Sequence, residues 1–170
     1  MQFRKTRPKL VSRKQLKVWW KCPKGPDHEW DARIKDRVKG NGCPCCAGRK
    51  LSVTNSLSAL LPQIAKQWHP TKNKGRLPEQ ILAGSNKYRW WKCPEGADHE
   101  WRARVIRRWH SGGRGCPFCA GKKISITNNL GYKHPEIASD WHFSKNGKIT
   151  PRNVFPNSHK GRWWKCKNNR

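Results

Sequence analysis

Two sets of Cys and His side chains recur with the spacing of metal ligands. Each set reads Cys-x5-His, then a connection of hairpin length, then Cys-Pro-x-Cys. Zn²⁺ favours four tetrahedral nitrogen and sulfur ligands, which small domains supply as two close pairs. The predicted ligands are Cys22, His28, Cys43 and Cys46 in the first set and Cys93, His99, Cys116 and Cys119 in the second. Because four protein ligands fill the coordination sphere, we expect two structural Zn²⁺ ions and no position open to a catalytic water.

The same cysteines could instead form the disulfide framework of a secreted domain. The sequence shows no signal-peptide pattern, and a disulfide has no need of two histidines at matched positions, so zinc is favoured. Two cysteines fall outside the ligand sets. Cys45 lies inside the first Cys-Pro-x-Cys and is expected to be a free thiol. Cys166 matches a ligand position without the partner ligands, and is expected to pack against other residues or to be vestigial.

The zinc sets belong to an internal repeat. The sequence Trp-Trp-Lys-Cys ends at Cys22, at Cys93 and again at Cys166. Residues 43–93 align without gaps onto residues 116–166, with Ala-Gly, Thr-Asn and Trp-His pairs at matched positions. Such self-similarity indicates modules of one supersecondary structure. We therefore predict two complete units and the opening arm of a third.

Each unit is predicted to begin with a β-hairpin that positions its first two ligands. Residues 28–34 and 99–105 alternate Trp, Ala and Ile or Val with charged side chains, which is typical of a half-buried strand. The preceding Trp-Trp-Lys-Cys forms the partner strand. Neighbouring strand residues point to opposite faces, so one Trp of each Trp-Trp pair enters the core and the other packs on a neighbouring unit or stacks on a base. The expected core partners are Trp30 and Trp68 in the first unit and Trp101 and Trp141 in the second.

A Gly-rich turn leads from each hairpin to Cys-Pro-x-Cys, and two short helices follow. Asn55 and Asn128 are good N-cap residues and predict the start of the first helix. Pro62 and Pro135 suit a first helical turn and predict the start of the second, which would end near a Trp-His pair. The predicted fold class is small α+β, with tandem zinc-stabilised modules of one β-hairpin plus short helices and with basic extended ends. The predicted boundaries are a basic N-terminal arm at 1–17, a first zinc module at 18–73, a linker arm at 74–88, a second zinc module at 89–146, and a basic C-terminal arm with the incomplete third repeat at 147–170.

Charge and composition limit the classes of function that remain open. The 170 residues include 38 Lys and Arg against 10 Asp and Glu, for a formal net charge of +28. A high net charge with few aliphatic residues is typical of a disordered chain. The 11 Trp and the predicted zinc ions indicate instead that the chain folds. No apolar run approaches the roughly 18 residues of a membrane span, and an enzyme with a large hydrophobic core is disfavoured. The charge instead predicts a polyanionic partner.

Nucleic acid is the polyanion that the sequence favours. Trp109 lies among Arg and His side chains in a loop that is longer in the second unit, where an exposed ring could stack on a base. Unstacked bases are commoner in folded RNA than in duplex DNA, which favours RNA. The residues predicted to contact nucleic acid are Arg4, Lys5, Arg7, Arg13, Lys14, Arg49, Lys50, Arg107, Arg108, Trp109, Arg114, Lys122, Lys123 and Arg162.

The repeated residues resemble a known family, the Trp-rich treble-clef zinc finger, which is also described as a probable zinc-ribbon domain. The resemblance rests on Trp-Trp-Lys-Cys, Gly-x-Asp-His-Glu-Trp, Gly-Cys-Pro-x-Cys-Ala-Gly, Asn-x-Leu and Pro-x-Ile-Ala-x-x-Trp-His, and it covers roughly residues 8–166. It implies tandem treble-clef or zinc-ribbon modules that bind nucleic acid and carry no enzymatic activity. The chain departs from the family pattern in its incomplete third copy and in Cys45.

These observations predict a non-enzymatic, zinc-binding and RNA-binding protein. We expect a structural component of a ribosome that packs on rRNA and on neighbouring ribosomal proteins. The expected location is a reducing intracellular compartment, with the mitochondrial ribosome as the suggested setting. We expect neither a membrane nor a small-molecule substrate as a partner. One alternative is a viral or chromosomal protein that binds or packages DNA, although short helices suit a major groove poorly. Another is a metal-dependent nuclease that uses His69 or His142, each of which follows a Trp expected in the core.

Overall fold

The computed structural model describes residues 16–109 and 115–165. Tertiary contacts divide them into two compact units. The first contains the described residues up to Pro62 together with Leu77–Ala83, and the second contains Gln63–Arg76 and the described residues from Gly84 onward. The positions singled out in the sequence that lie outside the described residues are Arg4, Lys5, Arg7, Arg13, Lys14, Arg114 and Cys166.

Each unit contains one antiparallel β-hairpin, as predicted. The strands are β1 at Lys17–Lys21, which pairs with β2 at Glu29–Arg33, and β3 at Tyr88–Lys92, which pairs with β4 at Glu100–Arg104. Trp20 lies directly opposite Trp30 in the first hairpin, and Trp91 lies directly opposite Trp101 in the second. These cross-strand Trp pairs face the core, and the other Trp of each Trp-Trp sequence points to the opposite face.

One turn of helix follows each hairpin, where the sequence predicted further strand and then a loop. The turns are α1 at Ile34–Val38 and α4 at Val105–Trp109. The predicted strand segments that end at Ile34 and Val105 therefore stop one residue earlier. The helical turn folds Arg108 back over the rings of Trp91 and Trp101, which extended chain would not do. A helix of five residues is too short to show a helical period in the sequence.

Two single-turn helices follow each Cys-Pro-x-Cys, as predicted. Their bounds are Leu57–Leu60 (α2), Pro62–Ala65 (α3), Leu130–Lys133 (α5) and Pro135–Ala138 (α6), and 3-10 turns lie at Pro78–Gln80 and Pro151–Asn153. The N-caps were predicted one position too early. Ser56 caps α2 and Asn129 caps α5, each accepting a backbone N–H hydrogen bond, at 3.2 and 2.9 Å. None of the helices within the described ranges is long and apolar enough to cross a membrane.

The Trp-His pair that ends one sequence repeat packs against the Trp-Trp-Lys segment of the next. Trp68 meets Trp91 edge to face, with ring centroids 5.5 Å apart. The backbone N–H of His69 donates to the carbonyl oxygen of Trp90 at 3.1 Å. This packing places residues 63–73 in the second unit, although the sequence assigned them to the first zinc module. The predicted core partnership of Trp68 with the first hairpin is therefore wrong.

Candidate metal centres

The predicted ligands of the first set converge on one point. One sulfur or nitrogen atom from each of the four side chains lies within 4.8 Å of the other three. The Sγ atoms of Cys22 and Cys46 are 3.7 Å apart. Nδ1 of His28 lies 3.5 Å from Cys46 Sγ and 3.7 Å from Cys43 Sγ. All seven described cysteines carry free thiols, so no described pair forms a disulfide.

The second set repeats this geometry. Cys93 Sγ lies 3.7 Å from Cys119 Sγ, which in turn lies 3.6 Å from His99 Nδ1. With Zn–S bonds of about 2.3 Å and Zn–N bonds of about 2.0–2.1 Å, a tetrahedron places two sulfurs about 3.8 Å apart and a sulfur and a nitrogen about 3.6 Å apart. The observed separations match a tetrahedral zinc site in both units. They also identify Nδ1 as the ligand atom of each histidine.

The acid–base chemistry of the thiols also fits a bound cation. Burial and the neighbouring thiols raise the pKa of Cys46 to about 11 and that of Cys119 to about 12. Burial acts in the same direction on Cys43, but the backbone N–H groups of Cys46 and Cys45 lower its pKa overall. Crowded thiols of high pKa ionise at neutral pH when a metal ion binds them. Three sulfurs and one imidazole are the donors that Zn²⁺ prefers.

Hydroxyl groups behind each histidine fix the orientation of its ring. His28 Nε2 lies 2.8 Å from Thr54 Oγ1 and 3.1 Å from Ser52 Oγ. In the second unit His99 Nε2 lies 3.1 Å from Thr127 Oγ1. A neutral histidine that binds a metal through Nδ1 carries its proton on Nε2, so these hydroxyls accept the hydrogen bond. This role was not predicted from the sequence, although Thr-Asn recurs at matched positions of the repeat.

The Gly-x-Asp-His segment gives the ligand histidine its position. A Cβ atom on Gly96 would lie 2.6 Å from the ring of His99, and one on Gly25 would lie 2.6 Å from the ring of His28. Glycine is therefore required for the rings to occupy these places. Oδ2 of Asp98 accepts a hydrogen bond at 2.8 Å from a backbone N–H of the Ser-x-Thr segment, and the first unit makes the same contact. The loop that carries the histidine is thus tied to the segment that orients its ring.

The asparagines predicted to cap helices instead hold the Cys-Pro-x-Cys loops. Nδ2 of Asn55 donates to the carbonyl oxygens of Cys45 and Lys50, at 2.8 and 2.9 Å. Its Oδ1 accepts from the backbone N–H of Ser52 at 2.8 Å. Asn128 makes the three equivalent bonds in the second unit, at 2.7–2.8 Å. Each asparagine therefore joins the second ligand pair to the segment behind the histidine.

Comparison with known families identifies the repeated unit. The chain matches the family described as a probable treble clef zinc finger domain over residues 4–49, 64–122 and 137–170. The chain belongs to this family. A search of curated proteins found no match. Two of the treble clef matches begin just before a Trp-His pair, so the family unit is shifted relative to the boundaries predicted at 18–73 and 89–146.

The two treble clef units differ at the residue inside Cys-Pro-x-Cys. Phe118 stacks on His99, with ring centroids 4.9 Å apart and 10° between the planes. Cys45, at the matching position, is buried with Trp30 and Cys43 in the first core. Burial raises the pKa of Cys45, and its sulfur is not one of the four converging ligand atoms. Cys45 is thus a neutral free thiol, as predicted.

A buried arginine is part of the core of the second treble clef unit. Arg108 is 2% exposed, and its Cζ lies 5.3 Å from the ring centroids of both Trp91 and Trp101. Its Nη2 donates to Oε1 of Gln67 at 2.5 Å. The prediction that Arg108 contacts nucleic acid is therefore wrong, because its guanidinium is enclosed by protein. Arg37 takes the same place over the Trp pair of the first unit, a match that the repeat alignment could have revealed.

The other predicted nucleic-acid contacts that the structure describes lie at or near the surface. The Arg49-Lys50 and Lys122-Lys123 pairs each follow a Cys-Pro-x-Cys sequence after one Ala-Gly pair. The exposed positions are Arg49, Lys50, Arg107, Trp109, Lys122 and Lys123, whereas Arg162 is half-buried. The structure therefore leaves two basic pairs, one beside each zinc site, open to a partner. With two Cys₃His ligand sets in treble clef units, the chain is a structural zinc-binding protein.

Proposed function

We propose that the protein is a non-enzymatic RNA-binding protein that packs on rRNA as a structural component of a ribosome. The observation that carries the proposal is the placement of basic side chains around two small zinc-stabilised cores. Every described Lys is exposed, and every described Arg is exposed except Arg37, Arg89, Arg108 and Arg162. With a net charge of +28, such a surface is typical of a protein that binds a polyanion.

Acidic side chains are poorly placed to neutralise this surface. The carboxylates of Glu29, Asp31 and Glu100 pair with lysines of their own hairpin or of an adjacent turn. The basic pairs at 49–50 and 122–123 remain exposed. Phosphate contacts from such side chains supply affinity that does not depend on base sequence. The zinc units would hold these charges at fixed positions along the RNA.

Short helices and exposed rings favour RNA over duplex DNA. The α-helices within the described ranges span four or five residues, whereas a helix that reads a major groove must be longer. Trp109 is 40% exposed at the end of α4, and Trp163 is 59% exposed. Exposed rings beside basic side chains suit the unstacked bases of folded RNA. Binding or packaging of DNA is the alternative that the experiment must separate.

The proposal gives no catalytic role to the zinc sites or to the remaining histidines. Four protein ligands would complete each coordination sphere. Nδ1 of His69 accepts hydrogen bonds from the backbone N–H groups of Thr71 and Lys72, at 3.3 and 3.2 Å. Its Nε2 lies 3.1 Å from Oε1 of Glu100. A histidine whose Nδ1 is hydrogen-bonded within its own turn, and whose Nε2 lies beside a carboxylate already bound by lysines, supports the turn around it, which favours a structural role over that of a general base.

The proposed setting is a reducing intracellular compartment, because zinc-binding thiolates persist where disulfides do not form. A ribosome supplies rRNA together with neighbouring ribosomal proteins as partners, and we place the protein in the mitochondrial one. Neither a membrane nor a small-molecule substrate has a role in this proposal.

Sedimentation and salt titration test the proposal. The zinc-loaded protein should bind a structured rRNA fragment with an affinity that falls steeply as salt rises, because each phosphate contact releases counterions. In a cell extract it should sediment with a ribosomal subunit, stay there after DNase treatment and leave after RNase treatment. Tighter binding to duplex DNA than to rRNA of equal length would support the DNA alternative. Sedimentation away from any RNA particle would overturn the ribosomal assignment.

A further inference from the structure

A further aromatic and basic surface lies on the outer face of the second hairpin, at positions that are not among the predicted nucleic-acid contacts. The strand register pairs Tyr88 with Arg104 and Trp90 with Arg102. Alternate strand residues share a face, so these four side chains lie together, opposite the face that buries Trp91. We call Tyr88, Trp90, Arg102 and Arg104 the second-hairpin face.

Tyr88 is the centre of this face. It is 50% exposed, and the Cζ atoms of Arg104 and Arg102 lie 5.3 and 5.7 Å from its ring centroid. No carboxylate in the described part of the chain forms an ion pair with either guanidinium. The one acidic residue of strands β3 and β4, Glu100, is already bound by Lys72 and Lys92. The face therefore presents an aromatic ring and two uncompensated positive charges to solvent.

The first hairpin lacks this combination at the matching positions. Lys17 stands in the place of Tyr88, and Asp31 stands in the place of Arg102. These two residues bind each other, with Lys17 Nζ 2.7 Å from Asp31 Oδ2. Trp19 is 76% exposed there, but it lies directly opposite Asp31, whose carboxylate repels phosphate. The two hairpins thus have the same backbone structure but differ in the ligands that their outer faces can bind.

Resting on the nucleic-acid function proposed above, we propose that the second-hairpin face is a binding site for single-stranded RNA. An unstacked base lies against the ring of Tyr88, and the guanidinium groups of Arg102 and Arg104 bind the adjacent phosphates. A tyrosine ring can stack on any base, and a planar guanidinium matches the geometry of a phosphate. A duplex offers phosphates but keeps its base faces covered, so Tyr88 adds affinity for single strands alone.

The test uses the zinc-loaded full chain and a fluorescently labelled single-stranded RNA of about 12 nucleotides, beside an RNA duplex of equal length. Tyr88→Ala should weaken single-strand binding by about 5- to 150-fold, the range expected for one stacked base. It should leave duplex binding unchanged, and Tyr88→Phe should retain single-strand affinity because stacking needs the ring and not the hydroxyl. The pair Arg102→Gln and Arg104→Gln should lower the slope of log affinity against log salt by about 0.7 for each phosphate that is no longer bound.

Trp19→Ala is the matched control, because it removes an exposed ring from the first hairpin. It should bind both RNAs as the unmodified protein does. If the unmodified protein binds neither RNA, the proposed function fails; if it binds but Tyr88→Ala behaves as Trp19→Ala does, the second-hairpin site alone is wrong. Loss of binding in the arginine variants with no effect of Tyr88→Ala would mean that this face contacts phosphate alone, and would overturn the stacking site.

Crosslinking gives a second measurement that does not depend on affinity. Ultraviolet irradiation of the complex followed by mass spectrometry of its peptides should locate a nucleotide on Tyr88 or Trp90. Each variant should retain two zinc ions and remain folded under the assay conditions, because the substituted side chains are exposed and belong to neither ligand set. Crosslinks confined to other peptides would count against the site.

Discussion

Trp141 and Trp164 meet edge to face, with ring centroids 5.1 Å apart and 85° between the ring planes. Trp68 and Trp91 adopt the same arrangement, at 5.5 Å and 87°. Trp164 makes this contact from the third Trp-Trp-Lys segment, in a stretch where the structure describes no zinc ligand set. The third segment therefore has a structural role that needs no metal. It covers the buried ring of Trp141, which the sequence had assigned to the second hairpin.

We expect Trp141→Ala to lower the free energy of unfolding of the second unit by about 3–5 kcal/mol, because its ring is fully buried. Trp164→Ala should cost less, since its ring is half-exposed and the edge-to-face contact itself contributes about 0.5–1.5 kcal/mol. Trp163→Ala, at an exposed ring of the same segment, is the control. Chemical denaturation followed by circular dichroism measures all three. Identical midpoints for Trp141→Ala and Trp163→Ala would contradict the packing.

Arg108→Gln should destabilise the second unit without changing the intrinsic affinity of the folded protein for RNA. The substitution removes two desolvated cation–π contacts, each of the kind that contributes up to about 2 kcal/mol. Arg107→Gln, on the exposed side of the same helical turn, should weaken RNA binding and destabilise the unit less than Arg108→Gln does. Thermal unfolding and RNA titration below the transition separate the two effects. A weaker affinity with unchanged stability in Arg108→Gln would return this residue to the RNA interface.

The ligand sets and the hairpins could be predicted because their sequence patterns are local and repeated. A cysteine and a histidine at a fixed spacing fall at the two ends of the connection between the strands of one hairpin, and alternation shows which residues those strands bury. The role of Arg108 could not be predicted from composition, because an arginine is normally exposed and its burial here depends on two Trp rings that meet only in the folded chain. A single helical turn likewise leaves no periodic pattern to read.

The boundaries of the units were harder to predict for a related reason. A sequence repeat gives the length of the structural unit but does not show at which residue that unit begins. The position of Trp68 shows that its segment belongs with the hairpin that follows it, because its ring packs on Trp91 of that hairpin. The prediction that Asn55 and Asn128 cap helices was wrong for a similar reason. An asparagine side chain can hydrogen-bond either to the start of a helix or to the backbone of a metal-binding loop, and here the next residue along the chain caps each helix.

Gly96→Ala should loosen the second zinc site. The new Cβ would lie 2.6 Å from the ring of His99, so the ring must leave its ligand position or the loop must shift. We expect zinc affinity at that site to fall roughly tenfold or more, as for other changes that misorient a ligand. Competition with a chromophoric chelator measures the loss. Gly84→Ala, where a Cβ meets open space, should leave zinc affinity unaltered, and equal effects of the two would be inconsistent with the clash.

Thr127→Val should also weaken zinc binding at the second site, by about 10- to 100-fold, because it removes the hydroxyl that accepts from His99 Nε2 while keeping the side-chain volume. Thr54→Val should weaken the first site less, because Ser52 Oγ lies 3.1 Å from His28 Nε2 and can still accept its hydrogen bond. Cobalt substitution offers a direct view, since a misoriented imidazole changes the visible absorption of a tetrahedral site. Thr71→Val is the control, because Thr71 uses its backbone N–H in the hydrogen bond to His69. An unaltered chelator titration for Thr127→Val would show that the hydroxyl does not orient the ring.

Cys43→Ser and Cys45→Ser compare two buried thiols of the same loop, of which only one belongs to a ligand set. Cys43→Ser removes one of three sulfurs, so native mass spectrometry should find one zinc ion per chain, with the first unit unfolded because the free energy of zinc binding stabilises its fold. Cys45→Ser should retain two zinc ions. Its buried hydroxyl should cost about 1–3 kcal/mol where it finds no hydrogen-bond partner, which lowers the unfolding midpoint without releasing metal. If Cys45→Ser instead loses a zinc ion, Cys45 is a ligand and the assignment of the first site must be revised.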